Sequence, residues 1–190
     1  PIKDVIDKCI ELGDRWVCVT GGEPLAQSGV WELFQTLTAM KFQVECETSG
    51  GYAVYPDSCK RNGHVGRRPA QRYTGSPRVE WVLDLKCPDS GMEHINDYHN
   101  ILHLDSQDQV KFVIASPRDF DFAMNKSIDI GVQLDNKALP TILFSPVWDV
   151  CNPAELVEWM LSAGPVVRDL GIRLSLQQHK VIWPNTERGV

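Results

Sequence analysis

The stretch Val17-Cys18-Val19-Thr20-Gly21-Gly22-Glu23-Pro24 decides how this chain folds. A short apolar run, suited to a buried strand, ends in Thr-Gly-Gly-Glu-Pro. The two glycines let the backbone approach a ligand without a Cβ in the way. Glu23 adds a carboxylate that can accept hydrogen bonds from a cationic group such as an amino-acid ammonium. Pro24 stops the strand and can open a helix at its first turn. In α/β sheets and barrels ligands bind at the carboxyl ends of the strands, which is where this turn sits. The same composition also suits an ordinary strand-to-helix turn.

Outward from that turn the pattern alternates. Before it, Ile2, Val5, Ile6, Cys9, Ile10 and Leu12 carry amphipathic helical spacing over Ile2–Leu12, stopped by Gly13. Strand-like runs follow at Trp16–Thr20, Phe42–Cys46, Trp81–Leu85, Val110–Ile114, Thr141–Ser145 and Arg173–Gln177. Helical patterns lie between them at Val30–Met40, Pro117–Lys126 and Pro153–Leu161, the last extending towards Leu170. Asn152 before Pro153 reads as an N-cap followed by proline at the first helical position. Alternating strands and helices predict an α/β fold with a parallel sheet and right-handed crossovers. Several of the strands are continuous apolar runs, as buried parallel strands should be.

The 190 residues fit one domain, residues 1–190, with a real core. A hydrophobic share of 43% and a charged share of 23% are those of an ordinary globular chain. The net charge of −6 gives no reason to expect nucleic-acid binding. There is no apolar run long enough to span a bilayer and no secretory signal pattern. Six dispersed cysteines (Cys9, Cys18, Cys46, Cys59, Cys87 and Cys151) form no Cys-x-x-Cys pair. They point to a reducing, cytoplasmic setting and to small buried hydrophobes, not a disulfide framework. Tyr52–Arg78 breaks the rhythm: it is rich in Gly and Pro and holds Lys60, Arg61, Arg67, Arg68, Arg72 and Arg78. This segment reads as a basic loop insertion, either a solvated excursion or a lid or docking surface for an anionic ligand or partner.

Polar residues gather at the strand ends. Thr20 and Glu23 follow the first strand, Glu47-Thr48-Ser49-Gly50 the second, and Asp84-Leu85-Lys86-Cys87-Pro88 the third. Ser145-Pro146 follows the fifth, and Gln177-Gln178-His179-Lys180 the sixth. Convergence at one rim marks a site on this class of fold.

These residues carry a resemblance. Thr20-Gly21-Gly22-Glu23-Pro24 resembles the Gly-Gly-Glu motif of radical S-adenosylmethionine enzymes. With Glu47-Thr48-Ser49-Gly50, Asp84-Leu85-Lys86-Cys87-Pro88 and Gln177-x-His179-Lys180, the chain resembles the 7-carboxy-7-deazaguanine synthase family from about Val17 to Trp183. The resemblance implies a partial, open parallel β/α barrel and a [4Fe-4S] cluster that cleaves S-adenosylmethionine to a 5′-deoxyadenosyl radical. It further implies ring contraction of 6-carboxy-5,6,7,8-tetrahydropterin to 7-carboxy-7-deazaguanine with loss of ammonia, assisted by Mg2+. Gly21, Gly22 and Glu23 would bind the methionine moiety. Glu47, Asp84, Leu85 and Lys86 would face the ribose and adenine, and Ser145 and Pro146 the adenine edge. Thr20, Gln177 and His179 would line the pterin pocket. A homodimer and a reductase or flavodoxin-type electron donor go with the family.

One departure matters. The family holds its cluster with Cys-x-x-x-Cys-x-x-Cys upstream of the glycine motif, and only Cys9 precedes Val17 here. The first strand, the cluster loop and the magnesium-side Thr are expected to be missing, as in a chain shortened at its amino end, so that this piece alone is inactive. The competing reading is a non-catalytic module or partner subunit that keeps the S-adenosylmethionine or pterin pocket. A radical activase for another enzyme is a third.

Overall fold

The computed structural model describes residues 1–55, 78–134 and 139–183. Six strands form one open, all-parallel sheet in sequence order: β1 (Trp16–Val19), β2 (Gln43–Thr48), β3 (Val79–Leu85), β4 (Gln109–Ile114), β5 (Thr141–Pro146) and β6 (Arg173–Leu174). Among the described residues the α-helices are α1 (Ile2–Leu12), α2 (Val30–Ala39), α3 (Pro117–Gln133), α4 (Pro153–Ser162), α5 (Pro165–Asp169) and α6 (Gln178–Ile182). Sequential strand order with right-handed crossovers puts the connecting helices on one face of the sheet.

Side-chain alternation sorts the two faces. Val44, Cys46 and Thr48 of β2, Trp81, Leu83 and Leu85 of β3, and Val110, Phe112 and Ile114 of β4 are buried. They form one core with Phe34 and Leu37 of α2, Phe120, Ala123 and Ile130 of α3, and Leu156 of α4. Phe112 and Phe120 each meet Phe144 edge-on at 5.8 Å. The opposite parity carries the unburied Cys18, Glu45, Glu47, Glu80, Asp84, Gln109, Lys111 and Thr141, with Val82 and Ser145 buried and Val113 and Leu143 partly buried among them. An all-parallel sheet normally hides both faces. Here much of the second face is polar, which suits the wall of a ligand cavity.

The structure departs from the expected element bounds in several places, with β3 beginning at Val79, two residues before Trp81, and a short helix at Gln178–Ile182 that was not expected. β2 runs on to Thr48, two residues past Cys46. α3 continues to Gln133 rather than ending at Lys126. Its buried stripe is Phe120–Ala123–Ser127–Ile130, and Ser127, which donates to the Ala123 carbonyl at 2.7 Å, hides that stripe from a hydrophobicity count. The helix from Pro153 stops before Gly164, whose φ is +69°, and Pro165 opens a separate α5. β6 pairs over two residues only, and Ser175 adds one further bond to the Phe144 carbonyl. From 56 to 77 the basic insertion lies outside the described residues.

No long helix links β3 to β4. Single 3-10 turns at Pro88–Ser90, Glu93–Ile95 and Tyr98–His103 make the crossover. Asn100, fully buried, holds it to the loop after β2: its amide donates to the Gly50 and Tyr52 carbonyls and its oxygen accepts from Val54 N–H.

Candidate ligand site at the strand ends

The Gly-Gly turn stands open. Gly21 and Gly22 have φ of +89° and +56°, in the left-handed region that L side chains avoid. Nothing lies within 4 Å of where a Cβ would be on either. Among the described residues no hydrogen bond engages their backbone N–H or C=O groups. Such exposed, unpaired backbone groups are ready contacts for a zwitterionic ligand.

Glu23 differs from the expected free acceptor. Oε1 accepts from Leu25 N–H at 3.0 Å and from Thr48 Oγ1 at 2.7 Å. Oε2 accepts from Ser49 N–H at 2.8 Å and from Ser49 Oγ at 2.5 Å. A carboxylate has about four lone-pair positions, and protein donors fill them all. Burial alone would raise its pKa. The bonds from Ser49, Thr48 and Leu25 outweigh burial and hold it below the ordinary value.

Beside the turn, on the open face, Thr20 Oγ1 donates to Glu47 Oε2 at 3.2 Å. Cys18, Glu45 and Glu47 present ligand atoms within 4.8 Å of one another. Burial pushes the Cys18 thiol up to about 11, with Glu45 and Glu47 adding to it. Glu45 is raised by burial and by its neighbours Glu47 and Glu80, against the Cys18 hydrogen bond. This corner is therefore acidic and its thiol protonated.

At the end of β3, Lys86 Nζ meets Asp84 Oδ2 at 2.8 Å, which leaves Asp84 Oδ1 buried without a partner. The Lys86 backbone is clasped by Asn96, which accepts from its N–H and donates to its carbonyl, both at 2.9 Å. Leu85 packs into the helix-side core, so only its backbone reaches the rim. Ser145 at the end of β5 is fully buried, and its Oγ has no partner among the described residues. Gln177 Oε1, after β6, is also buried without a partner among them. Pro146 is buried at the end of β5. A cavity of about 510 Å³ opens between the ends of β3, β4 and β5. Asp84, Lys86, Asp89, Asp119 and Val147 are among its lining residues.

The structure thus groups Thr20 with Glu47, and Asp84 with Lys86, at neighbouring strand ends. Ser145 and Gln177 follow on the last two strands. His179 is exposed on α6 without a side-chain partner among the described residues. Sequence reasoning missed Thr48 and Ser49 as partners of Glu23, and Asn96 and Asn100 as clasps. The burial parity of β2 was the available signal for Thr48. Nothing in the sequence marked the asparagines.

No family model matches the chain. Two curated relatives are similar along almost all of it. The 7-carboxy-7-deazaguanine synthase of Clostridium acetobutylicum is 31% identical over 99% of this chain and 75% of its own length. That of Chlorobaculum tepidum is 34% identical over 100% and 75%. Among solved structures, Streptococcus suis SuiB bound to S-adenosylmethionine overlays with a TM-score of 0.52 at 12% identity. The overlay covers 92% of this chain and 42% of SuiB, and at that identity it speaks for the fold alone. With the parallel sheet and open polar face in place, the two relatives decide the matter: this chain belongs to the 7-carboxy-7-deazaguanine synthase family.

Proposed function

We propose that the full gene product converts 6-carboxy-5,6,7,8-tetrahydropterin to 7-carboxy-7-deazaguanine with loss of ammonia, using S-adenosylmethionine. One observation carries the reading: Asp84 Oδ1, Ser145 Oγ and Gln177 Oε1 are buried polar atoms without partners among the described residues, at the ends of β3 and β5 and just beyond β6. An unmet buried polar group costs about 1–3 kcal/mol, and a ligand that supplies the missing partner recovers that cost.

The residues fit S-adenosylmethionine, which when bound supplies the adenosyl group that starts the radical chemistry. The unpaired Gly21 and Gly22 backbone takes the methionine moiety, with Glu23 beneath it. Asp84 Oδ1 accepts from a ribose hydroxyl, Lys86 balances charge beside it, and Glu47 closes the ribose side. Leu85, through its backbone at the 510 Å³ cavity, and Ser145 and Pro146 at the end of β5 would border the adenine. Thr20, Gln177 and His179 read the pterin, whose edge needs directed donors and acceptors.

The cysteines do not fit a [4Fe-4S] cluster. Among the described residues no three cysteines bring their sulfurs together: the one close group of ligand atoms is Cys18 with Glu45 and Glu47. The sequence contains no Cys-x-x-x-Cys-x-x-Cys. The reading therefore assigns the cluster ligands, and the threonine on the magnesium side, to sequence outside these 190 residues. Residues 1–190 act as one domain carrying the 52–78 insertion. A cytoplasmic homodimer served by a reductase or flavodoxin-type donor completes the reading. No helix among the described residues is long and apolar enough to cross a membrane.

The missing cysteine motif favours one second reading, a non-catalytic module that keeps the pocket. Turnover separates the two. The full gene product, reconstituted anaerobically with iron and sulfide, should form 7-carboxy-7-deazaguanine detectable by mass spectrometry, and the 190-residue chain alone should not. Pterin or S-adenosylmethionine binding without product would support the module.

A further inference from the structure

Glu23 is the one carboxylate of the glycine turn, and it does not face the open side. Its partner Thr48 is 3% exposed and shares the helix-facing parity of Val44 and Cys46. The residues of the opposite parity, Thr20 and Glu47, meet each other instead. All four acceptor positions of Glu23 are engaged, three of them by Thr48 and Ser49, two strands' loops apart in sequence. A ligand ammonium could bind this carboxylate only by displacing a bond already made. The groups that remain free are the backbone amides and carbonyls of Gly21 and Gly22. A left-handed Gly-Gly pair has many conformations open to it, and something must select one. The anchored carboxylate one residue later does so.

We infer that Glu23, Thr48 and Ser49 form a latch that positions the Gly21–Gly22 backbone for the amino-acid end of the ligand. Glu23 acts through Ser49 and Thr48 and does not take the ammonium itself. The inference rests on the reading of this turn as the methionine subsite. Thr48 and Ser49 are then positioning residues for ligand binding, with both side chains committed to Glu23. Ser49 matters most, because it donates twice to one oxygen.

The test uses Ser49→Ala, Thr48→Val, Glu23→Gln and the Glu23→Gln/Ser49→Ala pair in the full gene product. Affinity is measured by calorimetry for two probes: S-adenosylmethionine, and 5′-methylthioadenosine, which keeps the adenosine half and lacks the amino-acid end. Losing a charge-assisted bond within the latch should weaken S-adenosylmethionine about tenfold in Ser49→Ala. Affinity for 5′-methylthioadenosine should stay within about twofold, a split that a general folding defect would not produce. The double variant should be no weaker than the worse single one, because both changes break the same link. If Ser49→Ala binds S-adenosylmethionine like the wild type while Glu23→Gln alone loses it, Glu23 contacts the ammonium directly and the latch is refuted. Equal loss of both probes also refutes it. A wild-type protein that binds neither probe overturns the methionine-subsite reading itself, and the latch with it.

Discussion

Replacing Ser145 by alanine should make the ligand-free protein more stable and its ligand weaker. Ser145 is fully buried between Phe144 and Pro146, and its hydroxyl has no partner among the described residues. Such a hydroxyl costs about 1–3 kcal/mol when unmet. Ser145→Ala removes that cost and gives up only the packing of one oxygen. The net gain should be about 1 kcal/mol, a rise in Tm of roughly 2–4 °C for a chain of this size. On the bound side the hydroxyl's bond to the ligand disappears, a loss of about 1 kcal/mol or roughly fivefold in affinity. Scanning calorimetry of the ligand-free protein and titration with S-adenosylmethionine read the two halves separately. A Tm that falls by 2 °C or more would mean that the hydroxyl is satisfied in the free protein. An unchanged affinity would mean that no ligand uses it. Either result removes Ser145 from the site.

The remaining predictions concern the frame around the site. Gly50→Ala places a Cβ 3.3 Å from Leu83 Cδ1 at a φ of +76°, and should cost about 1–2 kcal/mol, read as a lower denaturant midpoint. Glu45→Gln should stabilise the protein at neutral pH. Burial and the neighbours Glu47 and Glu80 raise the Glu45 pKa, so its favourable share is present in acid and lost as pH rises through the raised value. The gain over wild type should therefore shrink between pH 7 and pH 4. Glu23 has the opposite sign. With its pKa lowered, its contribution is present above the ordinary carboxylate range and lost as pH falls through the lowered value. Denaturant melts should then show wild type losing more stability below about pH 4 than Glu23→Gln does.

Much of this fold was legible because its signals are periodic. Apolar strand runs and helical spacing located all six strands, α1, α2, α4 and the start of α3, and the order of elements fixed a parallel sheet. The errors fell where polar residues sit in buried positions. Ser127 occupies the buried face of α3, so its second half looked too polar to be helix. The β3–β4 crossover is held by Asn100, a contact some fifty residues from its partners in sequence, which no local pattern can announce. At the site, the rim residues were readable from their places at strand ends. The state of Glu23 was not, because a sequence shows a carboxylate but not the four donors that surround it. Ser145 and Gln177 show the converse: the residue types were visible, and only the packed structure reveals their polar atoms as buried and unmet.

The central claim is that the strand ends on the open face are where this family member holds S-adenosylmethionine. Amide hydrogen exchange on the reconstituted full gene product, with and without S-adenosylmethionine, tests it most directly. Protection should appear at Thr20–Glu23, Asp84–Lys86 and Ser145–Val147, with little change in α2 and in α3 beyond its first turn. Protection confined to the helices or to the Tyr98–His103 turn, with those strand ends unchanged, would contradict the account.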